Sequence, residues 1–82
     1  MEELHRFDHP DEVLSVAASP DGRFLLAGGQ DGVAYLWDVK SGDLLRRYRG
    51  HRGKVTAVLF TPDGQRAVTG GEDGTICFWR LP

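Results

Sequence analysis

Three side chains of this sequence, His51, Thr69 and Asp73, are of the types that make a hydrolytic triad: a hydroxyl to attack, an imidazole to take its proton and a carboxylate to orient the imidazole. Acyl transfer also needs donors for the developing oxyanion, and no residue beside these three can be given that task. His5, Asp8, His9 and Asp11 have the ligand types of a metal site, but they are spread over a strand and a loop. Gly28-Gly29-Gln30-Asp31-Gly32 has the glycine density of a phosphate-cradling loop. No helix follows it and no Lys-Ser/Thr pair stands at the required step, so it reads as a hairpin turn. Cys77, between Ile76 and Phe78, reads as a small buried hydrophobe. The sequence supports no catalytic set, no metal and no cofactor, and the chain is read as a non-enzyme.

The elements that must position these residues come in two copies. The step from Pro20-Asp21-Gly22 to Pro62-Asp63-Gly64 is 42 positions, and it also carries His9 to His51, Gly28-Gly29 to Gly70-Gly71, Asp31-Gly32 to Asp73-Gly74 and Trp37 to Trp79. A repeat of this length with internal turn signals is a unit that cannot bury its own faces and must stack on neighbours. Each copy holds three short apolar runs cut by glycine turns, 13–19, 24–28 and 33–37, then 55–61, 66–70 and 75–79. Their nearly continuous apolar character predicts strands in small sheets covered on both faces. Pro-Asp-Gly sets the first hairpin, with Gly in the left-handed conformation, and Asp-Gly is expected to set the second through a primed turn. A fourth strand, 44–48, lies between the copies, and its counterpart is Leu4-His5-Arg6-Phe7. No apolar period near 3.6 outlasts one turn, so no helix is expected.

Composition bounds the function. Ten Lys and Arg against twelve Asp and Glu give a net charge of −2, which argues against a general nucleic-acid or membrane-surface binder. A single cysteine cannot form an internal disulfide, and no run approaches the roughly 18 apolar residues of a membrane span. The acidic start, Met1-Glu2-Glu3, is unlike a secretory signal, so a cytoplasmic protein is the expectation. A chain of 82 residues buries only roughly 60–65% of its unfolded surface, and stability on its own would be marginal.

With Gly50-His51 (Asp8-His9 in the first unit), both Pro-Asp-Gly turns, both Asp-Gly turns, Trp37-Asp38 and Trp79-Arg80, the chain resembles the WD-repeat β-propeller family over essentially its whole length. The resemblance implies an all-β fold with two four-stranded antiparallel propeller blades per chain, the outermost strand of each blade coming from the start of the following repeat. It also implies a buried hydrogen-bond chain of Trp79, Thr69, His51 and Asp73, which makes the apparent triad a structural network. The first unit keeps His9, Asp31 and Trp37 but has Ala27 where the hydroxyl belongs, so its chain of hydrogen bonds is expected to be cut. Trp79-Arg80 in place of Trp-Asp is a second departure.

Residues 1–8 are then an outer strand, 9–48 a first blade and 49–82 a second blade without an outer strand of its own. The expectation is that Leu4, His5, Arg6 and Phe7 of one chain pair with the edge Ile76, Cys77, Phe78 of another, and that chains close head to tail into a ring. Two blades per chain permit only an even total: a homotetramer with eight blades is the first expectation and a homotrimer with six the second. The first unit opens with Glu2, Glu3, Asp8, Asp11 and Glu12, and the second with Arg46, Arg47, Arg49, Arg52 and Lys54, so acidic and basic entrances would alternate around the ring. As in other propellers of the family, a protein or peptide would dock at the entrance-loop face, here Asp11, Glu12, Gln30, Arg52, Lys54 and Glu72. The alternative is a minimal or designed fragment whose only activity is self-assembly; a chain that starts with the closing strand and stops just after Arg80 fits that reading.

Overall fold

Short runs of β-branched, aromatic and leucine residues broken by glycine turns leave the chain one economical arrangement, the antiparallel meander. The computed structural model describes residues 6–82. Seven strands form: β1 (Val13–Ala18), β2 (Phe24–Gly29), β3 (Val33–Asp38), β4 (Leu44–Arg49), β5 (Val55–Phe60), β6 (Arg66–Gly71) and β7 (Ile76–Arg80). They make two antiparallel sheets, ordered β1-β2-β3-β4 and β5-β6-β7. Strand 44–48 thus completes the first sheet, and β7 is an edge of the second. No helix is present among the described residues. Leu4 and His5 lie outside the described residues, and Arg6 to His9 belong to no strand.

The turns differ from the expectation in one respect. Asp31 and Asp73 keep ordinary negative φ, and only Gly32 and Gly74 are left-handed, so the second hairpins are not primed two-residue turns. Each is a three-residue loop closed by Gly32 N–H to Gly29 C=O at 3.2 Å or Gly74 N–H to Gly71 C=O at 3.1 Å, with the glycine taking the left-handed place after the turn. The carboxylate explains the choice: Asp31 Oδ1 accepts the Val33 N–H and Asp73 Oδ1 the Thr75 N–H, an Asx-type turn in which the aspartate keeps negative φ. The same logic ends β1 one residue early. Ser19 still donates its N–H to the Phe24 carbonyl at 2.9 Å, but the return bond is lost because the Phe24 N–H goes to the Ser19 hydroxyl, which in turn donates to Asp21.

The two sheets stack face to face. Phe24, Leu26, Ala34, Leu36 and Tyr48 of the first meet Val55, Val58 and Ala67 of the second, with Phe60, Trp79 and Leu81 at the margin. Close approach depends on Gly28, where a Cβ would lie 2.5 Å from Val55 Cγ1. The far side of the first sheet holds a smaller cluster of Ala27, Tyr35 and Trp37 under Phe7. The far side of the second sheet is bare, which departs from the expectation that both faces are covered: Ile76 is 70% exposed and Phe78 66%.

Candidate functional site

The second repeat builds the polar constellation from four elements. His51 comes from the loop after β4, Thr69 from β6, Asp73 from the β6–β7 turn and Trp79 from β7. The Trp79 indole N–H donates to Thr69 Oγ1 at 2.8 Å, and Thr69 Oγ1 lies 2.7 Å from His51 Nε2. A hydroxyl that accepts from the indole has its own proton left for the imidazole, so Nε2 is the acceptor and Nδ1 carries the hydrogen. His51 Nδ1 faces Asp73 Oδ1 at 3.3 Å and Thr75 Oγ1 at 3.1 Å. Thr69 and the His51 ring are sealed from solvent. Gly71 makes the room, since a Cβ there would stand 2.5 Å from His51 Nδ1.

Asp73 is the anchor of this arrangement. It accepts the Arg52 N–H at 3.0 Å, the Thr75 hydroxyl at 2.7 Å and the Thr75 N–H at 3.1 Å. The Arg52 amide first, then the Thr75 hydroxyl, and last the His51 ring hold its carboxyl far below the ordinary carboxylate range. A carboxylate so well solvated by fixed donors is a tether rather than a proton acceptor. The sequence reading gives Thr75 only as the start of the strand run 75–79, with no part in this network; its signal is its position two residues after Asp73, the reach of an Asx-type turn.

The first repeat is wired differently. His9 is as buried as His51, with its Nδ1 2.9 Å from the Asp11 carbonyl, but among the described residues its Nε2 has no hydrogen-bond partner, because Ala27 stands where Thr69 stands in the second repeat. Asp31 Oδ1 lies 3.9 Å from that nitrogen. Asp31 instead accepts the Tyr35 hydroxyl at 3.0 Å, and burial first, then this carboxylate, raise the Tyr35 pKa. Tyr35 occupies the place of Cys77, stacks on Trp37 with centroids 5.8 Å apart and takes the His9 ring against its own at 4.5 Å. Tyr35 is the residue the sequence reading missed: aromatic packing replaces the absent hydroxyl. Cys77 is half-buried beside Gly50.

Asp11, Glu12 and Gln30 gather at one end of the first sheet, and Arg52, Lys54 and Glu72 at the same end of the second. The Gln30 N–H donates to the Glu12 carbonyl, and the Glu72 N–H to the Lys54 carbonyl, both at 3.0 Å. Gly32 and Gly53 join the two groups, a Cβ on Gly32 falling 2.7 Å from the Gly53 carbonyl. A cleft of about 500 Å³ lies at the opposite end between the Pro-Asp-Gly turns. No three His, Cys, Asp or Glu side chains converge as a metal site, and no helix is long and apolar enough to cross a membrane, among the described residues.

The repeat step relates the open faces to the buried ones. Leu26, Ala34 and Leu36, fully buried on the inner face of the first sheet, correspond to Val68, Ile76 and Phe78 on the bare face of the second. Val55 and Val58, buried on the inner face of the second sheet, correspond to Val13 and Val16 on the far face of the first, where Val16 is 61% exposed. Phe7 lies against Trp37 with ring centroids 5.7 Å apart, as Tyr48 of β4 lies against Trp79 at 5.0 Å. Gly70 completes the pattern. Its counterpart Gly28 is pressed against Val55, whereas among the described residues a Cβ on Gly70 would meet only Ala57 of its own sheet.

A pair of stacked antiparallel meanders, repeated in sequence and each carrying a buried entrance-loop histidine, is a blade-type repeat protein of the all-β class. The chain belongs to the WD40 family, whose model for the WD domain, G-beta repeat, matches residues 1–38 and 42–80. Human WD repeat-containing protein 38 is 52% identical over 42 residues, covering 51% of this chain and 13% of the relative. The rice U3 snoRNP-associated protein-like YAOH is 48% identical over 42 residues, 51% of this chain and 8% of the relative. The rat serine-threonine kinase receptor-associated protein is 39% identical over 53 residues, 65% of this chain and 15% of the relative. This chain therefore matches only a small part of the length of these relatives. WD repeats are generally non-catalytic protein-interaction modules.

Proposed function

We propose that this chain is a protein-interaction module that acts as part of a closed β-propeller, formed by head-to-tail stacking of copies of itself. One observation carries the reading: the two open faces of the pair are the same two surfaces, shifted by one repeat, that already pack together inside it. A second copy can therefore place its Val13 and Val16 over Ile76, Phe78 and Gly70 as β5 lies over the first sheet. Such a contact is heterologous and continues until the rotation closes. Each large side chain buried contributes about 1.5–3 kcal/mol, and several are needed to exceed the roughly 4–15 kcal/mol cost of association.

The position of Phe7 supports strand exchange. It sits on Trp37 as Tyr48 sits on Trp79, and Tyr48 is at the same time paired to Ala34 on β3. The equivalent partner of Phe7 is Ile76 on the open edge of another copy, so Leu4, His5, Arg6 and Phe7 supply the fourth strand along Ile76, Cys77 and Phe78. Four copies give eight blades and three give six. The closed ring presents Asp11, Glu12, Gln30, Arg52, Lys54 and Glu72 of every copy on one rim as a polar docking surface for a protein or peptide. Thr69, engaged as donor and acceptor, serves the fold and not catalysis.

Gly70→Ala tests the stacking. A methyl group there has room within one chain but falls on the Val13 of a second copy, so a sizing column with light scattering should show a folded chain of reduced mass. An unchanged oligomer in this variant would overturn the reading.

A further inference from the structure

The arginine of Trp79-Arg80 stands where the first repeat has the aspartate of Trp37-Asp38. Arg80 on β7 is the direct cross-strand partner of Arg66 on β6, at the Pro-Asp-Gly end of the bare face, and both are exposed. Two guanidinium groups opposite one another weaken a strand pair. Among the described residues neither has a carboxylate within 4.0 Å. The first repeat has Phe24 and Asp38 in those places and carries no such repulsion.

The first sheet shows what lies beyond Arg80 once the β7 edge is paired. There β4 runs along β3 with Tyr48 opposite Ala34 and Leu44 opposite Trp37, and the Asp38 N–H closes the last rung on the Asp43 carbonyl at 2.9 Å. Arg80 holds the same place in its hairpin, since the Leu81 N–H donates to the Gln65 carbonyl as the Val39 N–H donates to the Arg23 carbonyl. The Arg80 N–H therefore points off the sheet edge as the Asp38 N–H does. Its carbonyl is met by the Tyr48 hydroxyl at 3.2 Å, which fixes the backbone at this point.

Leu4-His5-Arg6-Phe7 matches Leu45-Arg46-Arg47-Tyr48, and in the same step Asp43 becomes Glu2. A segment that sets Phe7 opposite Ile76 thus brings Glu2, which lies outside the described residues, opposite Arg80. Residues directly opposite in an antiparallel pair share a face, so the carboxylate falls beside the two guanidinium groups. Phe7 lies on the far side of the first sheet, so the β7 edge that receives its segment belongs to another copy.

We infer that Glu2 of one copy pairs with Arg80 of another and that this ion pair sets the register of the exchanged strand. The inference rests on the strand exchange and head-to-tail stacking proposed above and names the polar contact that aligns them. A carboxylate opposite Arg80 offsets its repulsion from Arg66, and a slip of one residue carries that carboxylate to the other face of the sheet. An opposite-charge pair at a fixed place favours one alignment and penalises others.

The test is a concentration series by sedimentation equilibrium at low ionic strength on the whole chain and on Glu2→Lys, Glu3→Lys, Arg80→Glu, the charge exchange that combines Glu2→Lys with Arg80→Glu, and Ile76→Asp. Glu2→Lys and Arg80→Glu should each weaken association about three- to tenfold per junction, and the charge exchange should recover part of the loss. Arg80→Glu should also raise the unfolding midpoint of the dissociated chain, because the introduced carboxylate faces Arg66, which separates lost association from lost fold. Glu3→Lys makes the same change in net charge but falls opposite Trp79, on the other face, and should leave association near that of the parent. Equal losses from Glu2→Lys and Glu3→Lys, or a charge exchange no tighter than either single variant, would overturn the pairing. If Glu2→Lys and Arg80→Glu leave association unchanged while Ile76→Asp abolishes it, the pairing is wrong and the stacking stands. If Ile76→Asp also leaves association unchanged, the stacking fails and the inference with it.

Discussion

Restoring the absent hydroxyl of the first repeat should stabilise the protein. In the second repeat Thr69 Oγ1 is 2.8 Å from the indole nitrogen and 2.7 Å from His51 Nε2. Ala27→Thr places the same oxygen between the Trp37 indole and His9 Nε2, which is buried without a partner among the described residues. Each new hydrogen bond contributes about 0.5–1.5 kcal/mol net, and an unpartnered buried polar group costs about 1–3 kcal/mol. Fixing the threonine rotamer and fitting its methyl group beside Tyr35, the cross-strand partner of Ala27, offset part of this gain. The net expectation is about 1–2 kcal/mol, and about 4–8 °C in Tm per kcal/mol for a domain of this size. Ala27→Val is the control, equal in shape but without the oxygen. The assay is urea denaturation at fixed protein concentration, because association adds to apparent stability. A threonine variant no more stable than the valine variant would refute the reasoning.

Thr69→Val should cost about 1–3 kcal/mol in the same assay, since it strands both the Trp79 N–H and His51 Nε2 in a site closed to water. Gly28→Ala should cost about 1–3 kcal/mol by forcing β5 off the first sheet, which urea denaturation of the dissociated chain would report. Asp73 has its folded pKa depressed from the ordinary 3.8 by the Arg52 amide, Thr75 and His51. Its contribution is complete above that value and is lost as pH falls below it through the folded pKa. An acid titration of stability should therefore be flatter in Asp73→Asn than in the parent, and equal acid limbs would contradict the assignment.

The strand order was legible because glycine turns fix where each run ends, and the seven strands fall within about a residue or two of the apolar runs that mark them. Turn type was less legible: Asp-Gly suits a primed turn, yet the aspartate side chain binds the amide two residues on and leaves only the glycine left-handed. The hydrogen-bond chain through Thr69 was implied by the family resemblance, whereas the contacts of Thr75 and Tyr35 were not, since they depend on how a turn and an aromatic stack settle in three dimensions. Face exposure lay beyond the composition altogether. Ile76 and Ala34 are similar in pattern, and only the stacking of one sheet on one side alone separates them.

Native mass spectrometry of the intact chain across a concentration series tests the central claim most directly. Head-to-tail stacking predicts one closed species at an integer multiple of the chain mass, four copies for eight blades or three for six, that persists on dilution until it falls apart to single chains. A folded single chain at every concentration would contradict it.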